Sequence, residues 1–213
     1  MGHVVLCDFD GTMTVVDTAE FTLARFALGD WKVIDRQFEL GAISLEECLR
    51  REFRLVHASE RQILDALEGA VPFRPHFDKL VQYCNDNSVS LIIVSAGLDF
   101  VIERCLEMMG WHKSVTTYTA KTRITENGIE FTFPSLFDKT SANFKQDLVR
   151  RRKSQGENVI YIGDGSGDFD AAKEADSLFV INGSKLAKLC QKHHISFRTM
   201  ADFQEVVDEI CAL

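Results

Sequence analysis

Short, nearly continuous apolar runs recur along the chain and are separated by stretches with the periodicity of amphipathic helices. The apolar runs cover residues 3–7, 90–94, 158–162 and 177–181. The amphipathic stretches cover residues 74–84, 100–109, 142–152 and 169–175. A continuous apolar run is typical of a strand that is buried on both faces of a sheet. Strands that alternate with helices therefore predict an α/β protein with a Rossmann-like, three-layer core around a parallel sheet.

Two segments depart from this alternation. Residues 16–72 are helical in pattern throughout, with capping signatures at Ser44 and Ser59, and predict a cap of about four helices. The aromatic residues at helical spacing in this segment are expected to form the cap's own core: Phe21, Phe26, Trp31 and Phe38. Residues 115–133 contain β-rich stretches and an Asn127-Gly128 turn signal, which predict a β-hairpin excursion. We therefore expect a core domain of residues 1–15 and 73–213 and a helical cap of residues 16–72.

Composition narrows the range of partners. The chain has 213 residues and a formal net charge of −8, and a surface of that sign repels the backbone of nucleic acids. No apolar run approaches membrane-spanning length and no secretory signal is visible, so we expect a cytoplasmic protein without a membrane partner. The 6 cysteines form no CxxC pair, which favours reduced thiols over a zinc site. The oligomeric state stays open.

Two carboxylates follow the first apolar run directly, in the segment Asp8-Phe9-Asp10-Gly11-Thr12. Side chains two residues apart on a strand point to the same side, and ligands of open α/β sheets bind at the carboxyl ends of the strands. Carboxylates this close raise each other's pKa unless a cation neutralises them. Taken alone, the segment is equally compatible with a loop that has an Asp cap and a turn glycine.

A second acidic loop follows the run at 158–162, where Gly163-Asp164-Gly165-Ser166-Gly167-Asp168 occurs. Three or four carboxylates could then converge at neighbouring strand ends, and hard oxygen ligands of this kind suit Mg²⁺. A Gly-rich turn or a dinucleotide-binding loop are the alternatives, but the glycines do not fit the spacing of the dinucleotide motif. Ser95-Ala96-Gly97 after the run at 90–94 and Lys145 near a helix start add donors for an anion.

In this order, the four segments resemble the signature motifs of the haloacid dehalogenase-like superfamily, over essentially the whole chain. The resemblance implies that Asp8 is a nucleophile that forms an aspartyl phosphate and that Asp10 is the general acid and base. It implies Mg²⁺ as cofactor, with Asp8, Asp10, Asp164 and Asp168 at the metal. It implies phosphate contacts from Phe9, Ser95, Ala96 and Lys145. Lys139 is the alternative for the motif lysine, but Lys145 is preferred because a helical pattern begins there.

The inserted cap is similar to that of subfamily IB, which includes phosphoserine phosphatase and the methionine-salvage 2-hydroxy-3-keto-5-methylthiopentenyl-1-phosphate phosphatase. Phosphoserine phosphatase binds the substrate carboxylate with a cap arginine, and an ungapped comparison puts Glu52 at that position. Asp17 replaces a glutamate of that enzyme. The cap residues expected near the substrate are Asp17, Arg50, Arg51, Glu52 and Arg54. The resemblance thus implies a phosphatase acting on a small phosphorylated metabolite.

Other functions remain open at this point. A phosphomutase or phosphotransferase would use the same nucleophile and metal but keep the phosphoryl group on a product. A non-catalytic protein that binds a phosphate ligand, or a pure interaction module, would not need Asp8 and Asp10 together.

Overall fold

A parallel six-stranded sheet forms the centre of the computed structural model, which describes residues 2–211. Residue 1 and residues 212–213 of the predicted core domain lie outside the described residues. The strands of this sheet are β1 (His3–Cys7), β2 (Ser90–Ser95), β3 (Thr116–Thr119), β6 (Asn158–Gly163), β7 (Ser177–Ile181) and β8 (Arg198–Met200). Their spatial order is β3-β2-β1-β6-β7-β8, and every neighbouring pair is parallel. The predicted α/β fold is confirmed.

Helices flank this sheet and fill the segments between its strands. Those before β2 are α1 (Thr18–Phe26), α2 (Trp31–Glu39), α3 (Leu45–Phe53), α4 (Glu60–Leu67) and α5 (Phe77–Asp86). Those after it are α6 (Asp99–Met108), α7 (Phe144–Ser154), α8 (Phe169–Ala172), α9 (Lys185–Lys192) and α10 (Phe203–Ile210), with a 3₁₀ turn at Ser166–Asp168. None of the helices within residues 2–211 is long and apolar enough to span a membrane.

The central strand β1 explains the apolar runs of the sequence. Its alternate side chains enter two apolar layers, one on each face of the sheet, with Val4 and Leu6 in the first and Val5 and Cys7 in the second. All four are fully buried. Because β1 lies between β2 and β6, its carboxyl end is surrounded by the ends of two other strands. This position is where ligands bind in open α/β sheets.

The segment between β1 and α5 contains four helices, α1 to α4, as the sequence pattern predicted. Its two connections to the core run side by side, since Thr14 forms a bridge with Phe73 and the Val15 N–H donates to the Pro72 carbonyl at 2.8 Å. The domain boundaries at residues 15–16 and 72–73 stay a prediction.

The hairpin packs against the cap helices as well as the core. It consists of β4 (Lys121–Thr125) and β5 (Gly128–Thr132), which pair in antiparallel orientation. Phe131 of β5 contacts Phe53 of α3, with 5.1 Å between ring centroids. The first β-rich stretch of residues 115–133 does not belong to this hairpin, because β3 pairs in parallel with β2 in the main sheet.

Several element ends differ from the sequence pattern for local reasons. Helix α5 begins at Phe77, after Pro75 and after His76 in a left-handed conformation (φ 66°), three residues later than predicted. Ser59 and Gln62 form the predicted capping box. Ser44 caps α3 by accepting from the Glu47 N–H, but the Glu47 carboxylate pairs with Arg51 at 2.5 Å and closes no capping box.

Candidate active site

Asp8 lies immediately after β1 and is held there by the sheet. Its N–H donates to the Ile162 carbonyl of β6 at 2.9 Å, and its side chain is buried. The side chain of Phe9 is fully buried in the apolar layer that also contains Val5 and Cys7. Only the backbone of Phe9 can therefore contribute to a phosphate site. The alternation of the strand leaves Asp8 and Asp10 on the same side, and both line one cavity.

Lys145 is the lysine that reaches Asp8. Asn143 caps α7 by accepting from the Gln146 N–H at 2.9 Å, which places Lys145 in the first turn over the strand ends. The Lys145 Nζ donates to Asp8 Oδ1 at 2.8 Å and to Asp168 Oδ1 at 2.7 Å. Lys139, the alternative, is exposed on the surface. The buried ammonium group therefore bridges the first and last acidic motifs.

Asp168 is fully buried, and both of its oxygens are occupied. Oδ1 accepts from the Tyr161 hydroxyl at 2.7 Å as well as from Lys145, and Oδ2 accepts from the backbone N–H groups of Asp164 (3.1 Å) and Gly165 (3.0 Å). Burial by itself would raise the pKa of Asp168, but the bonds from Lys145 and Tyr161 lower it. Asp168 is thus ionised and fixes both Lys145 and the loop that carries Asp164.

The other three acidic side chains of the site, Asp8, Asp10 and Asp164, have raised pKa values. Burial and the neighbouring Asp168 raise the pKa of Asp8 well above its usual range, against the opposing effect of Lys145. The same two causes raise the pKa of Asp164 to about 7, although the Thr12 hydroxyl donates to it at 2.9 Å. Burial also raises the pKa of Asp10. Carboxylates that favour protonation in this way provide a site for a cation.

Asp10 connects the core to the cap. Its Oδ1 accepts from the Thr18 N–H at 2.9 Å and from the Thr18 hydroxyl at 2.5 Å, at the start of α1. Its Oδ2 lies against Gly97, where a β-carbon would collide with it. Ser95 ends β2 and accepts from the Gly97 N–H through its hydroxyl at 3.1 Å. The glycine is therefore required for the close approach of Asp10 to the β2 loop.

A cavity of about 290 Å³ extends from these residues to the cap. The core contributes Asp8, Asp10, Ser95, Ala96, Gly97, Lys145, Lys185 and residues 164–168. The cap contributes the apolar residues Leu23, Trp31, Phe38, Leu45 and Leu49 and the acidic residues Asp17, Glu20, Asp35 and Glu52. Two of the four aromatic residues expected in the cap's own core, Trp31 and Phe38, thus face the cavity. A small organic ester fits a space of this size.

The cap residues expected near the substrate divide into two groups. Asp17 and Glu52 line the cavity, and burial raises the pKa of Asp17 to about 8 with help from Asp10. The three arginines point elsewhere. The Arg50 guanidinium lies 4.8 Å from the Phe133 ring centroid, Arg51 pairs with Glu47, and Arg54 is exposed beside the hairpin turn.

Residues 5–173 match the family model described as haloacid dehalogenase-like hydrolase. The chain belongs to this hydrolase family. Curated relatives along nearly the whole chain are named 2-hydroxy-3-keto-5-methylthiopentenyl-1-phosphate phosphatase. The protein from Brevibacillus brevis is 31% identical, covering 96% of this chain and 93% of its own. The one from Exiguobacterium sibiricum is 27% identical, covering 97% and 95%. The prediction of an enzyme of the phosphatase class is confirmed.

Solved structures of phosphoserine phosphatase share the fold of this hydrolase. A phospho-aspartyl intermediate analogue has a TM-score of 0.72 at 18% identity, and a substrate-bound complex has a TM-score of 0.73 at 17% identity. Each alignment covers 98% of this chain and 98% of the other. At this identity the likeness concerns the fold.

The residues of this hydrolase fit a magnesium ion. Asp8, Asp164 and Asp168 each offer a carboxylate oxygen within 4.8 Å of the others, and oxygen is the ligand that Mg²⁺ prefers. Among residues 2–211, Lys145 supplies the only ion pairs to the acidic motif residues. Because the oxygens of Asp168 are already bonded, Asp8 and Asp164 are better placed as direct ligands.

Several contributors to the site carried no recognisable sequence signal. Thr18 and Tyr161 bond to Asp10 and Asp168, and both resemble ordinary helix and strand residues in the sequence. Arg74 was interpreted as the start of a helix. Its guanidinium instead donates to the carbonyls of Gly11 (2.8 Å) and Thr12 (2.7 Å) and so holds the loop after β1 from outside the cavity.

Proposed function

We propose that this hydrolase cleaves a small phosphomonoester with Mg²⁺ through an aspartyl phosphate on Asp8. The observation that carries the proposal is the buried contact between Asp8 and Lys145, at 2.8 Å, in the same cavity as Asp10. A nucleophile, a proton carrier and a fixed cation thereby meet at the strand ends. A binding protein would need none of the three in this arrangement.

In the first step, a carboxylate oxygen of Asp8 attacks phosphorus and the bond to the alkoxide leaving group breaks. The raised pKa of Asp10 favours the protonated form that can donate to this alkoxide. In the second step, water attacks phosphorus while Asp10 takes its proton, the bond between phosphorus and the Asp8 oxygen breaks, and inorganic phosphate leaves. Thr18 holds Oδ1 of Asp10, so Oδ2 is the oxygen that carries the proton.

The transferring phosphoryl group needs donors for its three outer oxygens. We assign these to the Lys145 ammonium, the Ser95 hydroxyl and the backbone N–H groups of Phe9 and Ala96. The ammonium group offsets repulsion between an anionic nucleophile and an anionic ester. Since Asp168 fixes Lys145 from the other side, the cation keeps its position when Asp8 is modified.

We assign the metal to Asp8, the backbone carbonyl of Asp10 and Asp164, with Asp168 supporting the loop and the surrounding water. The bound ion supplies positive charge that allows two anions to approach each other. The substrate named for the relatives is itself a small phosphomonoester, and we propose it as the first natural compound to test. A phosphomutase would differ by returning the phosphoryl group to a product, which product analysis detects.

A chromogenic aryl phosphate tests the reaction. We expect phosphate release with Mg²⁺, none with EDTA, and a loss of about a thousandfold or more in Asp8→Asn. Asp86→Asn is the matched control. Asp86 is exposed at the end of α5, just before the start of β2, and so lies away from the carboxyl ends of the strands. Circular dichroism and thermal melting establish that the Asp8 variant is folded. Substantial activity in folded Asp8→Asn would overturn the nucleophile.

A further inference from the structure

Glu52 is a buried acid of the cap that the phosphoryl chemistry does not use. It lies on α3, its side chain is only 4% exposed, and it lines the cavity that contains Asp8 and Lys145. Its Oε1 atom has no hydrogen-bond partner among residues 2–211. Buried polar atoms of folded proteins nearly always have such a partner. Because Glu52 belongs to the wall of a ligand cavity, an acceptor without a partner on this residue points to a donor on the ligand.

The neighbours of Glu52 do not supply the missing donor for this atom. Cys48 lies one helical turn earlier and Asp35 approaches from α2, so that one ligand atom of each lies within 4.8 Å of the others. Burial, followed by the charge of Asp35, raises the pKa of Glu52 to about 7. The charge of Lys185, which lines the same cavity, lowers the pKa of Glu52, but its Nζ bonds to Glu39 at 2.8 Å and lies 3.9 Å from Asp35. The cluster is therefore rich in acceptors.

We propose that Glu52 selects the substrate by accepting a hydrogen bond from a hydroxyl or protonated amine on the organic part of the ester. This inference rests on the proposed function, because the same cavity holds the phosphoryl site. The remaining cap surface is apolar or acidic, with Trp31 and Leu49 beside Asp17 and Glu20. A carboxylate at the organic end would meet an excess of charges of its own sign, because Lys185, which also lines the cavity, is paired with Glu39. The substrate class is thus a phosphomonoester with a donor group and without a carboxylate.

A size-matched series of alkyl phosphates directly tests whether the enzyme prefers a substrate with a donor group. Each ester ends in a hydroxyl, an ammonium, a methyl or a carboxylate group, and the alkyl chain runs from two to five carbons to span the distance to Glu52. At the best length, we expect kcat/KM for a donor-ended ester to exceed that of the methyl-ended ester by about tenfold or more. The carboxylate-ended ester should be the poorest of the four.

Two variants separate charge from hydrogen bonding. Glu52→Met removes the acceptor at nearly the same volume and should abolish the donor preference, so that kcat/KM falls by about tenfold more for the donor-ended ester than for the methyl-ended one. Glu52→Gln keeps an acceptor oxygen but no charge, so it should retain the preference for a hydroxyl and lose any preference for an ammonium. Glu47→Gln, at a partly exposed position of the same helix, is the matched control. The two variants show whether Glu52 favours a hydroxyl or an ammonium donor.

Three results would overturn the inference. The first is equal kcat/KM for donor-ended and methyl-ended esters at every length. The second is an unchanged donor preference in Glu52→Met. The third is an equal loss of kcat/KM for all esters in that variant, because such a loss indicates that Glu52 has a structural role only. Failure of the proposed function is distinguishable, since then no ester would be hydrolysed. Calorimetric binding of the same series to Asp8→Asn with Mg²⁺ still measures the preference in that case. Equal affinities there would overturn the inference independently of turnover.

Discussion

The contact between Lys145 and two buried carboxylates sets the properties of the site at the scale of single residues. Asp8 and Asp168 share one ammonium group, and each is almost inaccessible to solvent. A buried charge is costly unless it is paired, and removal of one partner is worse than absence of the pair. The lysine is therefore expected to support the fold as well as the reaction.

Lys145→Met should lower the free energy of unfolding by about 3–5 kcal/mol in EDTA at pH 8, because Asp8 and Asp168 lose their cation. Urea unfolding measures this change. The loss should become smaller as pH is lowered, since protonation of Asp8, whose pKa is raised by burial, removes one of the uncompensated charges. Lys139→Met, at an exposed position, should change stability by less than about 0.5 kcal/mol. Equal effects of the two substitutions would contradict the role of the buried ion pair.

Gly97→Ala tests the position of Asp10 without altering any ionisable group. The added β-carbon would collide with Asp10 Oδ2, while Thr18 restrains the other oxygen. We expect kcat to fall by about tenfold to a hundredfold, because the proton carrier is displaced. Thermal melting should show a folded protein. Wild-type kcat in this variant would mean that Asp10 tolerates displacement and would weaken its assignment as general acid.

At the scale of elements, prediction succeeded where one local pattern determined the structure. The run at residues 3–7 coincides with β1 because every side chain from Val4 to Cys7 is buried, whichever face it occupies. The hydrophobic pattern did not predict β8, because this strand has only three residues and two of them are exposed. The partner of β3 was also missed, since the pairing of Thr116 with Ile92 is a long-range contact that no local periodicity encodes.

The contact between the hairpin and α3 can be tested with two glycines of positive φ. A β-carbon on Gly128 (φ +98°) would lie 2.5 Å from the Arg54 carbonyl oxygen, whereas one on Gly110 (φ +73°) would meet nothing within 4 Å. Gly110→Ala should therefore cost about 1 kcal/mol from backbone strain alone. Gly128→Ala should cost a further 1–3 kcal/mol or so from overpacking and should raise KM by displacing α3. Equal unfolding free energies in urea would argue against a tight contact.

At the scale of the whole molecule, the site combines residues that are far apart in the chain. Lys145 and Asp8 are separated by 137 positions. The acidic motifs could be located from sequence because each directly follows a strand, and parallel strands bring their carboxyl ends together. The cap residues of the site could not be located in this way. Whether Glu52 or one of its arginine neighbours faces the cavity depends on how α3 is rotated against the core. Arg50 and Arg51 lie on the same helix but contact Phe133 and Glu47 instead.

The excess of buried acid predicts how stability depends on pH and on Mg²⁺. The pKa values of Asp164 and Asp17 are raised to about 7 and about 8, from 3.8 in an unperturbed carboxyl group. The folded protein therefore holds protons that the unfolded chain has released. This protonation contributes to the stability of the folded state. The contribution is fully present below about pH 4 and is lost as pH rises through 7 to 8, so the free energy of unfolding in EDTA should fall between these limits. Mg²⁺ competes with the proton on Asp164, and at 100 times its dissociation constant it should add about 2.7 kcal/mol. Melting curves with Mg²⁺ and with EDTA should thus diverge as pH rises from 5.5 to 8.5, and Asp164→Asn should remove most of the divergence. A separation that is constant with pH would show that Asp164 does not hold the ion.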